Sequence, residues 1–143
     1  MQTKHLKPSR QLWKSVLLAG FFLLLGMPSF GQARVIEILA DKDSTFKIAG
    51  QRNPQITAKA GEQLILRITA RKGQSWSRDG SVHGFTLVRK DRSLVSGWNL
   101  PLKPGTQEFS LTVPAEPGDY EVLCSVLCSE KHESMNMKFV VVP

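Results

Sequence analysis

No acidic residue occurs in the first 33 positions of this 143-residue chain, and no apolar run exceeds twelve residues. The first absence leaves Lys4, Lys7, Arg10 and Lys14 as an unopposed basic flank. It leads into the apolar stretch Val16 to Met27, then Pro28 and the small residues Gly31 and Ala33. That order predicts a secretory signal over residues 1–33 with cleavage after Ala33. The second absence counts against a bilayer span, which needs about 20 apolar residues, and leaves an uncleaved N-terminal anchor as the other expectation. Both readings place residues 34–143 as one exported domain, in the periplasm or on the outer face of the cytoplasmic membrane. Membrane contact is expected only if the N-terminal segment is retained.

Acidic partners and nucleic acids are the usual inference from a formal charge of +7, but four of the bases lie in residues 1–33 and no acid does, so the domain itself carries +3. Nucleic-acid binding then lacks the clustered basic surface it requires, and no such partner is expected. Arg71, Lys72, Arg78, Arg89, Lys90 and Arg92 flank His83. They read either as solvated loop charges or as a docking patch for an acidic partner. Paired general acids and bases, or a nucleophile beside a base, are also missing, so no catalytic site of its own is expected.

Neither an internal repeat nor a useful helical period runs through residues 34–143. The chain reads as short strands punctuated by Gly, Pro, Asn and Asp. Strands are expected over Arg34 to Ala40, Thr45 to Ala49, Ile56 to Lys59, Gln63 to Ala70 and Val82 to Val88. Further runs follow over Ser93 to Leu100, Thr106 to Val113, Tyr120 to Cys124 and Met137 to Val142. The clearest is Gln63 to Ala70, where Leu64, Leu66 and Ile68 alternate with Ile65, Arg67 and Thr69. Pro101, Pro104 and Gly105 are expected to form a turn. The layout predicts an all-β fold, an antiparallel Greek-key β-sandwich.

Cysteine is scarce as well, and both residues fall in one stretch. Cys124, Cys128, His132 and Met135 succeed one another at offsets of four, four and three. A disulfide across four residues requires the two α-carbons to approach within about 7 Å, and remains one reading of the pair. The other reading is a metal loop, since thiolate, imidazole and thioether together favour copper. Zinc would accept two cysteines and two histidines but has no use for the thioether. In a sandwich, loops from different hairpins gather at one end, which would bring His83, at the start of a strand, to the loop.

Pro117-Gly118-Asp119-Tyr120 running into Cys124, the pattern Cys-x3-Cys-x3-His-x2-Met, and the upstream Val82-His83-Gly84-Phe85 resemble the CuA domain of cytochrome c oxidase subunit II, a cupredoxin. The CuA domain of nitrous-oxide reductase shares the ligand spacing, and the resemblance covers about Gln55 to Pro143. It implies two copper ions bridged by Cys124 and Cys128, with His83 and His132 each on one copper. Met135 and the backbone carbonyl of Val126 would be weak axial ligands. The implied activity is single-electron transfer, from a redox protein such as a cytochrome c and toward a haem-copper oxidase catalytic subunit or another acceptor. Subunit II proteins typically carry one or two long membrane helices and an acidic face, whereas this chain has one short apolar run and is basic around His83. A free carrier with the same centre is therefore also expected. A periplasmic copper-binding or copper-delivery protein using the same ligands is the alternative function.

Overall fold

A computed structural model describes residues 32–143. The expected signal or anchor segment therefore lies, but for its last two positions, outside the described residues. Among the described residues no helix is long and apolar enough to cross a membrane.

Among the described residues nine strands form two sheets. β1 (Arg34–Ala40), β2 (Phe46–Lys47), β4 (Gln63–Ala70) and β7 (Gly105–Thr112) make one, in the order β2-β1-β4-β7. The other, in the order β3-β9-β8-β5-β6, consists of β3 (Gln55–Lys59), β5 (His83–Val88), β6 (Leu94–Leu102), β8 (Gly118–Leu123) and β9 (Asn136–Val142). Period-two alternation buries Leu64, Leu66, Ile68 and Ala70 on the inner face of β4, against Ile56, Phe85, Leu87, Val122 and Phe139 from the other sheet. Each of these side chains other than Ala70 contributes about 1.5 to 3 kcal/mol of burial. Edge-to-face pairs, Phe46 on Phe85 at 5.5 Å and Trp98 on Phe139 at 5.3 Å between centroids, fill the core.

The expected strands are all present, with small shifts at their ends. Two features differ from the sequence reading. Most pairings are antiparallel, but β1 runs parallel to β4 and β3 runs parallel to β9. The chain leaves the first sheet after β2, contributes β3 to the second, and returns to lay β4 beside β1. Such a crossover between sheets permits a parallel neighbour without a helix. The second difference is Pro101, which lies within β6 opposite Gly84 rather than in a turn. β6 is the outer strand of its sheet, where a residue without an N–H leaves no ladder bond unmade.

One strand is buried along its whole length. β5 has β8 on one side and β6 on the other, its inner face supplies Phe85 and Leu87 to the core, and its outer face is covered by the chain that follows β8. His83 shares the inner face by alternation and is fully buried.

Candidate metal centre

The C-terminal ends of β1, β4 and β8 and the starts of β5 and β9 meet at one end of the sandwich, as the registers Ala40 to Ala70 and Leu123 to Asn136 require. Three connections therefore meet there: the turn after β1, the loop from Arg71 to Val82, and the connection from β8 to β9, which holds the Cys loop and the 3-10 turn His132–Ser134.

The ligand atoms of His83, Cys124 and Cys128 all lie within 4.8 Å of one another, and all three residues are buried. Both cysteines are free thiols with their sulfurs 3.6 Å apart. The disulfide reading of the pair is thus not what the fold adopts. The Met135 sulfur is 4.0 Å from Cys128 Sγ, and Met135 is 1% exposed. The Val126 carbonyl accepts from the Cys124 thiol at 3.2 Å and from the Cys128 N–H at 2.7 Å, so it faces the same cluster. His132 does not join this group. It is half-buried on the 3-10 turn, with Nδ1 3.1 Å from the Ser129 carbonyl.

His83 Nε2 lies 2.8 Å from the Arg71 carbonyl, which can only accept, so Nε2 carries the ring proton. Nδ1 is then an unprotonated lone pair, and it is buried with no hydrogen-bond partner. An orphaned imidazole lone pair is costly in an apolar interior and is what a metal ligand requires. Burial lowers the His83 pKa, opposed by the Arg71 bond and the charges of Asp41 and Asp43. The ring is thus held neutral. Burial also pushes the Cys124 thiol up to about 11, against backbone hydrogen bonding to Gly84 and Val126. Two close thiols and an aimed imidazole nitrogen fit copper, and the thioether beside them suits copper better than zinc.

Glycine is required at one position of this frame. A Cβ on Gly84 would stand 2.1 Å from Ser125 Oγ and 2.8 Å from Ser125 N. Its absence lets the Cys loop close over β5, where the Gly84 N–H reaches Cys124 Sγ at 3.4 Å. The Thr86 hydroxyl, 2.9 Å from Ser125 Oγ and 2.8 Å from Asn99 Oδ1, pins the same contact from below. On the far side the Ser75 N–H donates to the Cys128 carbonyl at 3.0 Å, holding the Arg71 to Val82 loop against the Cys loop. These supports, together with Ser44 and Ser129 beside Cys128, are not ligand types; Gly84, Ser125 and Ser129 lie in stretches already singled out, whereas Ser44, Ser75, Thr86 and Asn99 do not.

The six bases around His83 are not one patch. Arg71 and Lys72 sit at the His83 end of β5, whereas Arg89, Lys90 and Arg92 follow Val88 at its other end, about 20 Å away for six residues of strand. Arg92 pairs there with Glu121 at 3.5 Å. Beside the centre, the exposed large apolar residues are Trp76 (57%) and Leu127 (64%), with Lys72 Nζ 3.5 Å from the Trp76 ring centroid.

By sequence the chain matches no protein-family model and no curated protein. Solved structures do resemble it. A chain of a heme-copper terminal oxidase dimer is similar with a TM-score of 0.52 and 18% identity, over 76% of this chain and 65% of that one. Auracyanin B gives a TM-score of 0.51 at 17% identity, over 78% of this chain and 90% of that one. Auracyanin A, a "blue" copper protein from the green thermophilic photosynthetic bacterium Chloroflexus aurantiacus, gives 0.50 at 21%, over 78% of this chain and all of that one. At these identities the likeness is one of fold, and that fold is the cupredoxin-like β-sandwich.

Proposed function

We propose that residues 34–143 form an exported copper-binding electron-transfer domain with a dinuclear, CuA-type centre. The observation that carries this reading is the pair of buried free thiols 3.6 Å apart beside a buried imidazole whose Nδ1 has no partner. Cys124 and Cys128 would bridge two copper ions, and His83 would hold one of them through Nδ1. His132 would turn its ring from the Ser129 carbonyl to hold the other, with Met135 and the Val126 carbonyl as weak ligands. Copper held there would supply single-electron redox chemistry in a rigid, buried setting. The strands that carry His83 and Cys124 keep their ligand geometry fixed, and the apolar core excludes water.

Leu127, next to Cys128, and Trp76 with Lys72, on the loop bonded to the Cys128 carbonyl, are exposed, and a redox protein such as a cytochrome c would meet the domain there. A haem-copper oxidase catalytic subunit is the proposed acceptor, in keeping with the oxidase chain among the structural relatives. The domain would work in the periplasm or on the outer face of the cytoplasmic membrane, with residues 1–33 serving as a signal or anchor.

Loading the metal-free full chain, its thiols reduced, with equal amounts of Cu(I) and Cu(II) tests the reading. Two coppers per chain, an intense purple thiolate-to-copper band and a mixed-valence EPR signal are expected. A colourless product with one copper overturns it. One observation favours a second reading, copper binding for delivery: His132 stands apart while two thiols, a thioether and His83 already gather. Those four donors suffice for a single Cu(I), and the copper count separates the two functions.

A further inference from the structure

Ser44, in the turn between β1 and β2, is 3% exposed although it is neither apolar nor a recognised ligand type. Its φ of 60° puts a non-glycine residue in the left-handed region, at a cost of about 1 kcal/mol or more. The turn is held in that shape by bonds from Ser44 N–H to the Asp41 carbonyl at 3.1 Å and from Asp41 N–H to the Thr45 carbonyl at 3.0 Å. Lys47 Nζ, 2.6 Å from Asp41 and 2.7 Å from Asp43, clamps it from outside. The strained backbone aims the Ser44 hydroxyl at two groups, Ser129 Oγ at 2.6 Å and Cys128 Sγ at 3.7 Å.

The Lys131 N–H donates to Ser129 Oγ at 3.0 Å. A metal-bound Cys128 thiolate has no proton and can only accept, so with the metal in place the Ser44 hydroxyl would be the donor of that pair, its oxygen left to accept from the Ser129 hydroxyl. A backbone N–H, two hydroxyls and the sulfur would then form a relay in one direction. We infer that Ser44 is a positioning residue for Cys128, donating a hydrogen bond to its sulfur and thereby tuning the metal–thiolate bond. The inference rests on the copper reading of the same site. A donor on a thiolate withdraws electron density, stabilises the reduced metal and raises the reduction potential.

Ser44→Ala and Ser44→Gly separate this role from a structural one. Both remove the hydroxyl, but glycine relieves the left-handed strain and alanine keeps it. In the copper-loaded full chain both variants are expected to lower the reduction potential by similar amounts and move the thiolate-to-copper band to longer wavelength. In the copper-free chain their thermal stabilities should diverge, Ser44→Gly above Ser44→Ala. Ser129→Ala should lower the potential less than either. An unchanged potential and band in both Ser44 variants overturns the inference, and so does a shift that appears in Ser44→Ala and vanishes in Ser44→Gly. A wild-type chain with a mononuclear centre overturns only the dinuclear reading, because the Ser44 effect is read in whichever copper–thiolate band forms. A wild-type chain with no such band overturns both.

Discussion

His83, Gly84 and Cys124 belong to strands or their first flanking residue, whereas Cys128, His132 and Met135 belong to the connection between β8 and β9. The first group is held by the β6 ladder partners of His83 and Gly84, by the Arg71 carbonyl, by the bond from the Cys124 N–H to the Met135 carbonyl and by the close contact of Gly84 with Ser125. Its imidazole is buried and already aimed. The second group is mixed: Cys128 and Met135 are buried, while His132 rides on a 3-10 turn with its Nδ1 on a backbone carbonyl. The strand-borne residues are therefore in place together with Cys128 and Met135, and His132 alone would have to move on metal binding. On this view most of the proposed site exists before the metal, and the copper-free chain already bears the cost of a buried orphan nitrogen.

Removing a sulfur erases the difference between the halves. Cys124→Ser or Cys128→Ser should abolish the mixed-valence EPR signal completely, since a bridge needs both sulfurs. An unaltered signal in either variant would end the bridging assignment. The next effect sharpens the contrast through pH. Cys124 is neutral in the fold up to about 11, whereas an exposed thiol ionises near 9.0. Between those values the unfolded chain has lost the proton and the folded chain has kept it, so stability falls as pH rises through this window. The full loss is about 2 to 3 kcal/mol. Urea unfolding of the copper-free chain from pH 8 to 11 measures it, and the slope should disappear in Cys124→Ala.

A smaller effect tests the frame rather than a ligand. Gly84→Ala places a methyl 2.1 Å from Ser125 Oγ and 2.8 Å from Ser125 N. The hydroxyl can rotate away but the backbone nitrogen cannot, so the Cys loop must lift from β5. Overpacking of this kind costs about 1 to 3 kcal/mol. Thermal unfolding of the copper-free chain should show the loss, and copper uptake should weaken with it. Unchanged stability would mean that the loop does not close on β5 as described.

Strand content was legible because burial writes period two into β4 and a dense apolar run into β9, and the Cys loop was legible because its candidate ligands are near one another in sequence. Strand direction was not, since alternation is the same whichever way a neighbour runs, and the parallel pairs β1 with β4 and β3 with β9 passed unseen. Pro101 misled because a proline is compatible with an outer strand, and edge position is a property of the whole sheet. The choice between solvated charges and a docking patch around His83 was open in the sequence because a six-residue strand is short in sequence and long in space. Ser44 had no signal at all: it lies 84 residues from Cys128, and serine in a turn is ordinary.

Met135→Leu is the mildest perturbation and the one that asks whether the loop half contributes a ligand or only packing. Met135 is buried beside Cys128, and its carbonyl receives the Cys124 N–H at 3.1 Å, so the backbone ties the two halves whatever the side chain is. Leucine has nearly the same volume, and such a swap costs less than about 1.5 kcal/mol. If the thioether touches copper, Met135→Leu retains the metal and the purple colour while its reduction potential rises, because a weak donor that favours the oxidised ion has gone. If Met135 only packs, the potential stays at the wild-type value while the small stability change remains. Voltammetry and thermal unfolding on the same preparation therefore assign the side chain to one half of the comparison or the other: a shifted potential makes it part of the centre, and an unshifted one makes it part of the core.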